Sequence, residues 1–192
     1  MSKAEATKTF GLDPDKKTIL LVGGSLGAKT INDRILHHLD LVDQKDIQFI
    51  WQTGKYYNKQ ITEELKGKLP SNLIVTDFIS DMGAAYTAAD LVISRAGASS
   101  ISEFCLIGKP VILVPSPNVA EDHQTKNAMA LVNKQAAIYV KDSDAPDCLL
   151  EQAIKLIKDD DKLKNLSENI LKLALPDSAD IIAKEVIKMI RK

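Results

Sequence analysis

The 192-residue chain is 45% apolar and 27% charged, the make-up of a globular domain with one sizeable core rather than of a disordered or fibrous chain. Its 25 basic and 26 acidic side chains leave a net charge of −1, so no global field favours nucleic acid or an anionic membrane, and an anionic ligand has to be held by local groups. No run approaches the ~18 apolar residues that span a bilayer, residues 1–8 are charged without an apolar core, and Cys105 and Cys148 lack zinc-type spacing; the expectation is a cytoplasmic domain with no metal, no cofactor, no direct membrane insertion and both thiols acting as small hydrophobes.

Residues 18–22 form a β-branched and leucine run between Asp13-Pro14-Asp15 and Gly23-Gly24, the pattern of a parallel strand buried on both faces. Residues 28–41 then carry Ile31, Ile35, Leu39 and Val42 at helical spacing, so Gly23-Gly24-Ser25-Leu26-Gly27 is a glycine-rich turn from strand to helix. It matches neither the Walker form nor a full G-x-G-x-x-G. A second strand over 47–51 ends at Thr53-Gly54, where a dinucleotide-binding unit would usually place an acid for the adenosine ribose; Thr53 there weakens an NAD reading and leaves the βαβ architecture standing. A helix over 56–65, a strand over 73–76, a loop over 77–81 with Ser80 or Asp81 as cap, and a helix over 82–89 follow.

The fourth strand, 91–94, runs into Arg95-Ala96-Gly97-Ala98-Ser99-Ser100-Ile101-Ser102-Glu103. A strand that ends in Gly-Ala-Ser-Ser before helix-forming residues offers free backbone N–H groups to an anion. Glu103 falls one turn further in, where a carboxylate can accept hydrogen bonds from vicinal hydroxyls such as those of a ribose. A phosphate seat and a diol acceptor ~5 to 6 Å apart fit a nucleoside diphosphate, although an ordinary strand-to-helix turn has the same local pattern. Gly108-Lys109-Pro110 ends that helix; a strand over 111–114, a rigid polar loop over 115–122, a helix over 123–134 and a short strand over 137–140 come next. From Pro146 onward only amphipathic helices are expected, over 149–157, 161–173 and 180–190. Strand and helix alternate from 18 to 140, which predicts an α/β, doubly wound, Rossmann-like parallel sheet of about six strands with helices on both faces, in a single domain.

Four pieces taken together resemble the C-terminal donor-binding domain of the MurG family of peptidoglycan glycosyltransferases, which have the two-domain B-type glycosyltransferase fold. They are Gly23-Gly24-Ser25-Leu26-Gly27-Ala28; Phe78-Ile79-Ser80-Asp81-Met82 with Ala84-Ala85-Tyr86 and Ala89-Asp90; Arg95-Ala96-Gly97-Ala98 through Glu103; and Asp122-His123-Gln124 with Asn127-Ala128. They occur in the family's order and cover roughly residues 10 to 190.

The resemblance implies UDP-N-acetylglucosamine as donor and inverting transfer of its sugar to the lipid-linked muramoyl-pentapeptide. By residue it implies Ser25 on the diphosphate, the main chain of Ile79 on uracil, the 98–103 stretch (Ala98, Ser99, Ser100, Ile101, Ser102, Glu103) around phosphate and ribose with Glu103 on the ribose, and Gln124 on the N-acetylglucosamine hydroxyls. It also implies an N-terminal acceptor domain as partner, carrying the general base, so no catalytic residue is expected in this chain, which alone is expected to be inactive. The last helix, about 178–191, is expected to cross to that domain, and the whole enzyme is expected to be peripheral on the cytoplasmic face of the inner membrane. A donor subunit of a naturally split transferase, or a non-catalytic nucleotide-binding module, are the competing expectations. From the residues themselves, Arg95 is expected to pair with a carboxylate or support its loop, and Trp51 and Tyr86 to be packing residues.

Overall fold

A computed structural model of the chain describes residues 1–43 and 45–190. Six strands, β1 (Lys17–Val22), β2 (Ile47–Gln52), β3 (Leu73–Thr76), β4 (Leu91–Ser94), β5 (Val111–Leu113) and β6 (Ile138–Tyr139), make one sheet in the order β3-β2-β1-β4-β5-β6. All five neighbouring pairs are parallel, with Leu21 opposite Trp51 on one side and Ile93 on the other. The continuous apolar runs explain this layout, because a strand buried on both faces has no polar side to expose. Alternation divides them: Ile19 and Leu21 point into one core layer, Leu20 into the other.

Ten α-helices are present among the described residues: α1 (Lys3–Thr9), α2 (Lys29–His37), α3 (Leu39–Val42), α4 (Asn58–Glu64), α5 (Met82–Ala88), α6 (Ala98–Ile107), α7 (His123–Val132), α8 (Ala145–Ile157), α9 (Asp160–Leu171) and α10 (Ser178–Ile190). Ile31 and Ile35 of α2, Ile61 of α4 and Leu149, Leu150 and Ala153 of α8 cover one face. Ala6 of α1, Ala85 of α5, Phe104 and Cys105 of α6 and Leu131 of α7 cover the other. The expected doubly wound sheet is thus observed, and the strand order reverses between β1 and β4. At such a switch point the loops leaving the two strands run in opposite directions and open a crevice at the strands' carboxyl ends.

Three local features differ from the sequence expectation. α1 stands where no element was expected, closed by a capping box: Glu5 N donates to Ser2 Oγ (3.3 Å) and Ser2 N to Glu5 Oε2 (2.8 Å). It is tied down by Lys3, whose Nζ lies 2.6 Å from Asp90 Oδ1, while Asp90 Oδ2 also accepts from Thr18 N. The helix expected over 28–41 breaks at His38 (φ −133°, ψ 47°) into α2 and α3. β6 keeps only two of the four residues expected. The last helix forms as read, and α10 has no buried side chain: Ile181, Ile182, Val186, Ile187, Met189 and Ile190 are all exposed; residue 191, placed at its end by the sequence reading, lies outside the described residues.

Candidate functional site

A cleft of ≈ 530 Å³ opens at the switch point, lined by Gly23, Gly24, Gly27 and Thr30 after β1, Ser94, Arg95, Gly97 and Ser100 after β4, Ser116 and Asn118 after β5, and Gln124 and Asp142. It is built almost entirely from the turns that leave three strands.

The first turn is glycine-rich for steric reasons. Gly27 has φ +90°, and a Cβ there would lie 2.1 Å from the Thr53 carbonyl oxygen; Gly54 has φ +80°, and its Cβ would lie 2.1 Å from the Gly27 amide nitrogen. The turns after β1 and β2 therefore touch main chain to main chain, and Lys55 N donates to Ser25 O (3.1 Å) across the junction. Beneath them Trp51 Nε1 donates to Asn32 Oδ1 (2.9 Å) and Asn32 Nδ2 to Thr53 O (2.8 Å), so the buried indole is a strut for this junction. Held in this way, Ser25 is exposed beside Gly24, on the rim rather than the wall of the cleft.

The second turn presents the start of α6. Gly97 is its N-cap with no capping side chain, and the first intrahelical bond is Ile101 N to Gly97 O (3.0 Å). The amides of Ala98, Ser99 and Ser100 precede that bond and face outward with the positive end of the helix dipole. Ser100 lines the cleft. Ile101 is half-buried against the core, and the Ser102 hydroxyl donates back to Ala98 O (3.1 Å), so these two residues serve the helix itself.

Glu103 is exposed one turn on, and its Oε2 accepts a 2.8 Å hydrogen bond from Tyr86 Oη. Tyr86 is buried, packed edge-on against Phe104 with ring centroids 5.7 Å apart. Burial, reinforced by the neighbouring carboxylate, pushes its phenol well above the usual range. Ile79 sits in the loop before α5 with its side chain in the same core layer, which fixes the main chain of that loop.

Gln124, at the start of α7, faces the cleft, but its Oε1 is occupied: it accepts from Ala96 N (3.2 Å) and Ser116 N (2.9 Å), stitching the loop after β4 to the loop after β5. These two bonds leave its Nε2 donors unused. Arg95 fills the expected supporting role, donating to Val114 O (3.0 Å) and Pro115 O (3.2 Å) and pairing with Asp142, which also accepts from Thr30 Oγ1 (2.9 Å). Just before α7, Glu121 and Asp122 both have positive φ (53° and 51°), a strained pair at the edge of the site. Among the described residues no group of three or more His, Cys, Asp or Glu is arranged to hold a metal ion, and no helix is long and apolar enough to cross a membrane.

The structure thus brings Ser100 and Gln124 into one cleft, with Ser25 at its rim and Glu103 one helical turn away. Sequence reasoning pointed to the polar loop over 115–122, at a strand's carboxyl end, without naming Ser116 or Asn118 as site residues, and it missed Thr30 and Asp142. Thr30 and Asp142 lie 112 positions apart, and no local spacing announces such a pair.

The model of the glycosyltransferase family 28 C-terminal domain matches residues 18–182. A UDP-N-acetylglucosamine–N-acetylmuramyl-(pentapeptide) pyrophosphoryl-undecaprenol N-acetylglucosamine transferase of Bacteroides thetaiotaomicron is 68% identical over 190 residues, covering 97% of this chain and 51% of the relative. The protein of the same name from Bacteroides fragilis is 66% identical, with 97% and 50% covered. Among solved structures, MurG of Acinetobacter baumannii superposes with a TM-score of 0.78 at 29% identity, over 98% of this chain and 53% of that one. The chain spans about half the length of the curated relatives it matches.

Proposed function

The chain belongs to the glycosyltransferase family 28 C-terminal domain family, and from that premise we propose that it is the donor-binding half of an inverting hexosyltransferase, one that takes N-acetylglucosamine from UDP-N-acetylglucosamine for peptidoglycan synthesis. The printed activity of the relatives at 68% and 66% identity supports this reading. The observation that carries it is the pairing of an open helix N-terminus with Glu103 one turn along, beside a cleft at the switch point.

In this reading the amides of Ala98, Ser99 and Ser100, with the Ser25 hydroxyl, hold the diphosphate, Glu103 accepts from the ribose hydroxyls, the Ile79 main chain pairs with uracil, and the Gln124 amide donates to the sugar. When an acceptor hydroxyl attacks the anomeric carbon from the face opposite the leaving group, negative charge grows on the departing UDP. The α6 N-terminus is aimed at that charge, which gives it a larger effect on the transition state than on the bound donor. We place the acceptor site and the general base in the half of the relatives that this chain does not match. The apolar stripe of α10 we place against that half, and the whole enzyme on the cytoplasmic face of the membrane that carries its lipid acceptor.

Calorimetric titration with UDP, UDP-N-acetylglucosamine and UDP-glucose tests the reading. It predicts binding of all three, with the acetamido sugar preferred over glucose. Absence of UDP binding would overturn it, and equal affinity for the two sugars would reduce the site to a general nucleotide-binding module.

A further inference from the structure

Tyr86 and Glu103 form a contact that is unusual in direction: a buried phenol reaches outward to an exposed carboxylate. The Tyr86 ring is held by burial and by Phe104, and its hydroxyl meets Glu103 Oε2 at 2.8 Å. An exposed glutamate on a helix otherwise samples several rotamers, and ordering it is a cost that ligand binding has to overcome. An ionised carboxylate offers about four lone-pair sites; the phenol takes one, leaving acceptor sites on both oxygens.

We propose that Tyr86 is a positioning residue for ribose recognition: its hydroxyl holds the Glu103 carboxylate in the orientation that accepts both ribose hydroxyls. This rests on the reading of Glu103 as the ribose acceptor. It deepens that reading by assigning part of the nucleoside affinity to a residue that never touches the ligand. It also ties two contacts to one helix. Tyr86 lies on α5, whose preceding loop carries Ile79, and Ile79, Tyr86 and Phe104 share one core layer. The uracil-reading main chain and the ribose-reading carboxylate are thereby kept in fixed relation.

The test compares UDP with 2′-deoxy-UDP on the 192-residue chain and on Tyr86→Phe, Glu103→Gln, Glu103→Ala and the Tyr86→Phe/Glu103→Ala double variant, with melting temperatures measured for each. Tyr86→Phe keeps the ring and its packing and removes only the hydroxyl. Freeing one side chain should weaken UDP about three- to tenfold, and 2′-deoxy-UDP by less, so that the preference for the 2′-hydroxyl narrows. In the Glu103→Ala background, where nothing is left for the hydroxyl to hold, the same change should have no further effect on either ligand, a result that holds even if Tyr86→Phe lowers the melting temperature. A purely structural tyrosine would instead weaken both ligands by the same factor in both backgrounds. That outcome, or an unchanged preference in Tyr86→Phe while Glu103→Gln loses it, would overturn the positioning role and leave the ribose contact standing. A preference untouched by Glu103→Gln would remove the ribose contact itself, and the role of Tyr86 with it.

Discussion

Gly27 and Gly54 meet backbone to backbone: a Cβ added to Gly54 would stand 2.1 Å from the Gly27 amide nitrogen and 2.3 Å from its Cα. Neither glycine can be replaced by rotating a side chain away, because the obstacle is main chain. Gly54→Ala should therefore cost at least ~2 kcal/mol, combining the positive-φ penalty with the clash. Gly24 also has a positive φ but meets nothing within 4 Å, so Gly24→Ala should bear only the conformational part, about 1 kcal/mol. Chemical denaturation of the two variants checks the order; equal losses would mean that the junction of the two turns yields easily.

Gln124 has two occupations, and two substitutions separate them. Gln124→Ala removes the acceptor shared by the Ala96 and Ser116 amides, so it should loosen both loops and weaken UDP and UDP-N-acetylglucosamine together. Gln124→Glu keeps an acceptor for both amides, loses the donors and adds a negative charge to the cleft, so it should weaken the UDP-sugar more than UDP. The same selective loss from both variants would show that the stitching bonds contribute little.

Arg95 and Asp142 are largely shielded, with 16% and 18% of their side chains exposed. Asp142→Ala strands the guanidinium among carbonyls and should cost about 3 kcal/mol, the range for breaking a buried pair from one side. Thr30→Val removes one hydroxyl hydrogen bond to the same carboxylate but leaves the ion pair in place, and should cost about 1.5 kcal/mol. Urea unfolding midpoints of the two variants provide the comparison, and a smaller loss for Asp142→Ala would contradict the pairing.

Alkaline titration reads out Tyr86. Burial, then the hydrogen bond to Glu103, raises its phenol above the ordinary value, so the folded chain holds a proton that the unfolded chain releases near pH ~10. The stability this group contributes is complete below the unfolded value and declines as pH climbs from there toward the folded one. Ultraviolet titration should show Tyr86 ionising in a last step that coincides with unfolding. Tyr86→Phe should lose that last step.

Much of the fold was legible because its strands are buried on both faces: the runs at 18–22, 47–51, 73–76 and 91–94 each became a strand of the sheet. The break at His38 was hidden because Leu39 and Val42 continue the apolar period that Ile31 and Ile35 begin, and periodicity does not report a backbone turn. α1 had a readable signal, Ser2 with Glu5 three residues on, but no apolar run to draw attention to it. In the candidate site, the glycine turn and the α6 entry could be read as local chemistry. The double use of Gln124, the strut from Trp51 to Asn32 and the bond between Tyr86 and Glu103 could not, since each joins groups that only the completed sheet brings together.

Whether this half holds the nucleotide of a UDP-sugar across the start of α6 can be seen in a crystal structure of the chain grown with UDP. The phosphates should lie against the Ala98, Ser99 and Ser100 amides, the ribose hydroxyls on Glu103 and uracil against the main chain of Ile79. UDP bound away from α6, or a ribose turned from Glu103, would contradict that placement.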